Sequence, residues 1–242
     1  MEKEKLVVLT GAGMSADSGI STFRDSEGLW EGVDVMEVAS VKGWETNPEK
    51  VLEFYNERRR QLQHAKPNAG HYALVELEQK YEVTVVTQNV DDLHERAGSQ
   101  NVIHLHGELT KARPEDGVHT VFDIGYSDIN LNDCDDRGRQ LRPAIVWFGE
   151  IVPMMEPAIR EVGICDLLLV IGTSLVVYPA AGLVDFASLA TPVYVVDPHK
   201  PEYQFRQRIV ILEEPSISGT PKLVRALLKG DNFNKINTYL DE

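Results

Sequence analysis

The sequence predicts an open α/β sheet, parallel in its strands and clad by helices on both faces, with a small second lobe made from two insertions. Three observations predict it. Short β-branched apolar runs alternate with helix-period segments along most of the 242 residues. The runs are apolar at nearly every position, as in strands covered on both faces. Two stretches, 25–66 and 107–143, break the alternation. The predicted division is therefore 1–30, 67–106 and 144–242 for the sheet domain, with 31–66 and 107–143 for the small lobe.

Taken in order, the strand segments are KLVVLT (5–10), EVTVVTQ (82–88), NVIHLH (101–106), AIVWF (144–148), DLLLVIG (166–172), PVYVVD (192–197) and RIVIL (208–212). The helix segments are 48–64, 68–80, 154–162, 179–189 and 221–229. In the first helix Pro48 suits the opening turn and Glu49 complements the dipole. At about 100° per residue, Val51, Leu52, Phe54, Tyr55 and Leu62 form one apolar face. Arg58 falls near its middle, Arg59 on its flank and Arg60 toward water. An arginine on an apolar face needs a partner, because a buried unpaired charge is costly. That partner is either an internal carboxylate or a ligand. Segment 107–143 reads as polar and loop-like.

The formal net charge is −14, which argues against a nucleic-acid partner. No stretch approaches ~20 clean apolar residues, so no membrane span is predicted. The opening MEKEKLVVLT enters a strand within a few residues and leaves no room for a targeting peptide, so the cytoplasm is expected. Cys134 and Cys165, the two cysteines, make neither a disulfide framework nor a zinc site by themselves. Nothing requires more than a monomer, and the oligomeric state stays open.

Four strand ends carry the chemistry. TGAGMSADSGISTFRD places Gly11, Gly13 and Ala16 in a G-x-G-x-x-A pattern, with a helix expected to follow and attract a pyrophosphate. The acidic residue expected about 20 positions on, at a second strand end, is missing. The loop is a variant nucleotide loop or a structural turn. VVTQNVDDLHERAG crowds Gln88, Asn89 and Asp91 at a strand end, either for a ligand or with Asp91 as a helix cap. VIHLHGE sets His104 and His106 on one strand face, as polar residues, as a metal pair or, for His106 before a glycine, as an active-site base. VIGTSLVVYPAAG ends a strand with Gly172, Thr173 and Ser174, whose hydroxyls and amides suit phosphate or ribose.

In this order and spacing, with WFGE between the third and fourth, these stretches closely resemble the sirtuins from residue 5 to about 200. The resemblance implies a Rossmann-like domain with a small lobe of two insertions, and an NAD-dependent protein lysine deacylase acting on acylated-lysine proteins or peptides. It implies that Gly11, Ala12, Gly13, Ser15, Ala16 and the Gly172-Thr173-Ser174 turn hold the NAD phosphates and ribose. Asp17, Phe23, Arg24 and Asp25 belong to the loop that closes over the cofactor, and Trp30, Asp197 and Ser216 complete its contacts. Gln88, Asn89 and Asp91 form the nicotinamide pocket. Asn89 and His106 are the catalytic pair, His106 as general base. Val146, Trp147, Phe148, Gly149 and Glu150, with Leu175 and Val176, flank a substrate peptide added as a strand. The implied products are nicotinamide, free lysine and O-acyl-ADP-ribose. An ADP-ribosyltransferase, an NAD glycohydrolase or a non-catalytic ADP-ribose-binding module would share these motifs.

The chain departs from the family pattern in three places. QNVD carries Val90 where isoleucine is usual. Asp197 stands where an asparagine meets the adenine ribose. The two cysteine pairs that bind structural zinc are absent from 107–143: Arg113-Pro114 stands at the first pair, and one thiol cannot make a Cys₄ site. His119, Asp123 and Asp133 are weak substitutes, so no metal is expected. In one branch, often called class III, an Ala and a Tyr-x-x-Arg admit negatively charged acyl chains. Ala39 and Tyr55-Asn56-Glu57-Arg58 match, which makes a succinyl or malonyl carboxylate the expected partner of Arg58. Arg59 and Arg60 are expected at the surface.

Overall fold

Near-continuous apolar runs become buried strands, and their ends carry the polar residues. The computed structural model describes residues 3–21, 29–30, 32–116, 120–231 and 235–236. Its strands in chain order are β1 (Lys5–Thr10), β2 (Leu29–Trp30), β3 (Val33–Asp34), β4 (Glu82–Thr87), β5 (Val102–His104) and β6 (Gly107–Pro114). They continue with β7 (Phe122–Asp123), β8 (Leu141–Ile145), β9 (Leu167–Ile171), β10 (Val193–Val196) and β11 (Ile209–Leu212). The helices are α1 (Val35–Val38), α2 (Val41–Thr46), α3 (Pro48–His64), α4 (Ala69–Leu77), α5 (Leu93–Ala97), α6 (Met155–Gly163) and α7 (Ser216–Leu228).

Six strands form one parallel sheet in the order β11-β10-β9-β1-β4-β5. Leu6, Val8, Leu169 and Val196 pack on one face with Leu74, Leu77 and Leu223 of α4 and α7. Val7, Leu9, Leu168 and Val170 pack on the other with Ala158 and Val162 of α6. Strand order reverses between β1 and β9, and beyond the carboxyl ends of such a pair lies the ligand crevice of an open α/β sheet.

α3 starts and stops as its sequence dictates. Asn47 Oδ1 accepts from Lys50 N at 3.0 Å, and Pro48 sits in the first turn. Its buried arc is wider than its apolar face. Ile129 and Ala112 cover Leu52, and Asn56 exchanges two 2.9 Å hydrogen bonds with the Ile129 main chain. This second layer also covers Arg59, which is 0% exposed. Arg59 donates to Asn56 Oδ1 and to the Leu109 carbonyl, so the surface position expected for it is wrong. Burial pulls the Arg59 guanidinium down to about 10, which leaves it charged at neutral pH. Arg60 does face solvent, among Glu53, Glu57 and Asp128.

Other expectations shift too. AIVWF does not join the parallel sheet. β8 ends at Ile145 and pairs antiparallel with β6 in a small sheet of order β7-β6-β8, so 107–143 is not all loop. The pivot is Gly107 at φ +82°, where a Cβ would meet the Ala144 carbonyl oxygen at 1.9 Å. His106 therefore lies in the turn beyond β5, not on the strand with His104. No α-helix follows β1 directly: Ala12–Met14 and Ala16–Ser18 are single 3₁₀ turns. Ala180–Phe186 is also 3₁₀. α7 begins five residues before Pro221, which lies inside it.

Candidate functional site

The glycines after β1 are explained first by packing. Gly11 N donates to Ile171 O at 3.1 Å and Gly13 N to Gly172 O at 2.9 Å. A Cβ on Gly172 (φ +62°) would meet Met14 N at 2.4 Å, and one on Gly11 would meet Thr173 Cβ at 2.7 Å. The turns after β1 and β9 thus interlock at the point where strand order reverses. The pattern is a structural turn at the place where a ligand would lie.

Around this turn the ends of β1, β4 and β9 are tied by side chains. Ser15 donates to Asp91 Oδ2 at 2.9 Å and accepts from Asn89 Nδ2 at 3.1 Å. Asp91 Oδ1 accepts from Leu93 N at 3.1 Å just ahead of α5, but the N-cap of that helix is Asp92, so Asp91 belongs to the polar cluster and is not the cap expected from the sequence. Burial raises the Asp91 carboxyl, opposed by those hydrogen bonds. Gln88 Nε2 donates to Thr173 Oγ1 at 3.2 Å. Ala12, Gly13 and Ser174 are half-buried beside them, while Ala16 and Asp17 are exposed.

The two histidines of H-x-H do not converge on one point. His106 Nδ1 lies 3.1 Å from the Gln88 carbonyl, and His104 Nδ1 lies 3.2 Å from the Asn89 carbonyl. A carbonyl only accepts, so His106 Nδ1 carries the proton and Nε2 keeps the lone pair. Burial lowers the His106 pKa against the raising effect of the Gln88 carbonyl. This shift favours the neutral ring, whose basic nitrogen is Nε2.

A second group of residues lines the lobe side. Ala39, Phe54, Tyr55 and Trp147 are buried in one cluster, with Trp30 packed against it. Trp30 meets Phe54 edge-on at 5.1 Å and Tyr55 at 6.1 Å. Tyr55 Oη accepts from Trp147 Nε1 at 3.0 Å. Arg58 is half-exposed, its guanidinium 4.5 Å from the Phe54 ring centroid and its Nε donating to Gln61.

The Glu150 carboxylate turns inward, paired with Arg142 at 2.8 Å and Arg113 at 2.7 Å, and accepts from Trp147 N at 2.9 Å. Arg142, buried, lies 3.2 Å from the Trp147 ring centroid. Sequence reading missed Arg142. Its only signal is a charge two residues before an apolar run. Phe148, Gly149 and Val176 are exposed, Val146 is half-buried and Leu175 is buried at φ +55°. Phe148 N donates to Ala39 O at 2.8 Å, joining this segment to the Ala39 cluster.

At the far end, Asp197 closes β10, buried, and accepts from His199 N at 2.9 Å. The buried Ser216 hydroxyl has no hydrogen-bond partner among the described residues. Phe23, Arg24, Asp25 and His119 lie outside the described residues.

A parallel sheet with polar strand ends at its reversal point, together with a small antiparallel sheet, defines an α/β protein of the nucleotide-binding type. Residues 11–179 match the Sir2 family. A Helicobacter pylori protein named NAD-dependent protein deacylase is 50% identical over 226 residues, covering 93% of this chain and 98% of that one. One of the same name from Bacteroides thetaiotaomicron is 47% identical over 230 residues, covering 93% and 98%. A solved complex of a Sir2 homologue with NAD superposes with TM-score 0.85 at 38% identity, over 96% of this chain and 92% of that one. Sir2Tm bound to a propionylated peptide superposes with TM-score 0.77 at 30% identity, over 96% and 95%. The chain belongs to the Sir2 family.

Proposed function

We propose that this chain is an NAD-dependent protein lysine deacylase that favours succinyl- and malonyl-lysine. The observation that carries the reading is His106 held by Nδ1 on the carbonyl of Gln88, the residue before the Asn89 that joins Ser15 and Asp91 in the polar cluster. The residues fit NAD. Gly11, Ala12, Gly13, Ser15 and the Gly172-Thr173-Ser174 turn hold its phosphates, with Ala16 and Asp17 at the rim. Asp197 and the unpartnered Ser216 hydroxyl take the adenosine end. Gln88, Asn89, Asp91 and Trp30 surround the nicotinamide end. When bound, NAD supplies an electrophilic ribose carbon and a leaving group that departs neutral.

The protein's share is positioning and proton transfer. Asn89 and Asp91 hold the reacting end in one orientation. Trp30 and the cluster of Phe54, Tyr55 and Trp147 form an apolar wall that limits water. His106 takes up one proton at Nε2, which raises the nucleophilicity of the group it deprotonates. The substrate backbone adds as a strand beside Phe148-Gly149 and Leu175-Val176. Ala39 leaves room for the acyl chain, and Tyr55 and Arg58 meet its terminal carboxylate. The 107–143 lobe needs no zinc in this reading. Asn56–Ile129 and Arg139–Asp135 contacts hold it instead.

The test is nicotinamide release with and without acyl-peptide. Release that requires the peptide and yields one deacylated peptide per nicotinamide supports the reading. Release without peptide points to a glycohydrolase, and no release points to a binding module.

A further inference from the structure

His104 is the second histidine at the strand ends, and the reading above gives it no role. It is 9% exposed at the end of the edge strand β5. Its Nδ1 faces the Asn89 carbonyl at 3.2 Å and its Nε2 faces Glu95 Oε1 at 2.7 Å. Both partners are pure acceptors. A neutral imidazole has a single N–H, so one of these two contacts, the buried one to Asn89 or the half-exposed one to Glu95, would set lone pair against lone pair. Only the doubly protonated ring satisfies both.

We infer that His104 is an imidazolium clamp, a positioning residue that ties the Asn89 main chain to Glu95 of α5. The inference rests on the proposed role of Asn89 at the reacting end of the site. Asn89 N–H is already held by Thr87 Oγ1 at 3.0 Å. With its carbonyl held by His104, both main-chain groups of Asn89 are fixed, and its side-chain amide is aimed at Ser15.

The surrounding charges favour the cation. Burial by itself pushes the His104 pKa down. The Glu95 hydrogen bond and charge, the charge of Glu108 and the Asn89 carbonyl outweigh it, and the net direction is up. From β6, Lys111 opposes this, but it is paired to Glu108 at 2.7 Å. From α5, His94 is neutral, because burial and the charges of His71 and His104 push it far down. From the β4–α5 loop, Asp91 adds negative charge, and Asp92 is engaged by Arg96 and Tyr126. A raised folded pKa fixes the sign. The clamp is complete below the ordinary imidazole pKa and is lost as pH rises through the raised one.

The first test is imidazole NMR on the full chain with isotope-labelled histidine, His104 being assigned by its loss in His104→Gln. Both ring nitrogens should stay protonated to higher pH than in an ordinary imidazole of pKa about 6.5. A His104 ring that loses its proton at or below that value overturns the inference, whatever reaction the protein catalyses. The second test is the pH profile of kcat. The wild type should lose roughly tenfold in kcat as pH rises through the His104 titration, with little change in the KM for NAD. In Glu95→Gln the amide N–H can donate to Nε2, so a neutral ring keeps Nδ1–H for Asn89 and the alkaline loss should disappear. A Glu95→Gln profile superimposable on the wild type overturns the clamp. A protonated His104 in a protein that releases no nicotinamide would contradict the deacylase reading alone.

Discussion

His106 and Gln88 are joined by one hydrogen bond, Nδ1 to main-chain oxygen at 3.1 Å, and that bond decides which nitrogen is basic. His106→Ala should cut deacylation by ~10²–10⁴ while NAD binding persists. Binding is read by calorimetry and turnover by nicotinamide release. A turnover near wild type would remove His106 from the mechanism.

The same geometry sets an acid limb. Burial lowers the His106 pKa, so the base form survives to lower pH than an ordinary histidine allows. The profile of kcat/KM should fall as pH drops through a value below about 6.5. A limb above that value would contradict the burial argument.

Arg58→Met should change substrate choice more than overall activity. A charge-assisted hydrogen bond contributes ~1.5–3 kcal/mol, so desuccinylation should fall roughly tenfold to a hundredfold in kcat/KM. Deacetylation should hold steady or improve. Tyr55→Phe should act in the same direction but less. Its loss also removes an acceptor for Trp147 Nε1, so a melting temperature measured alongside separates the two effects. Equal losses on both acyl groups for Arg58→Met would make Arg58 a structural residue.

Arg59 carries the structural role instead. Arg59→Met should lower stability by about 1–3 kcal/mol, because the buried Leu109 carbonyl would lose its Arg59 donor and Asn56 Oδ1 would keep only the Ile129 N–H. Chemical denaturation measures it, with Arg60→Met as the exposed control. A loss no larger than the control's would show that this layer does not anchor α3.

The sequence carried the parallel strands well, since a run such as LLLVI has one stable place, in the middle of a covered sheet. It carried the polar strand ends too, because Ser15, Asn89 and Asp91 occupy turns that local pattern exposes. It failed where a second layer decides. Helical angle alone puts Arg59 on a flank, and only the Ile129 segment folding over Asn56 buries it. AIVWF is as apolar as any sheet strand, and the positive φ at Gly107 is what turns it into the small sheet. The inward Glu150 was hidden for a similar reason: its partners Arg113 and Arg142 are brought to it by β6 and β8, far from any motif.

The most direct measurement is a single reaction holding NAD with equal succinyl-, malonyl- and acetyl-lysine peptides, followed by mass spectrometry of peptides and nucleotide products. Succinyl- and malonyl-peptides should be consumed first, each loss matched by one nicotinamide and one acyl-ADP-ribose. Consumption of NAD with all three peptides intact, or acetyl-peptide consumed ahead of the acidic ones, would contradict the proposed function.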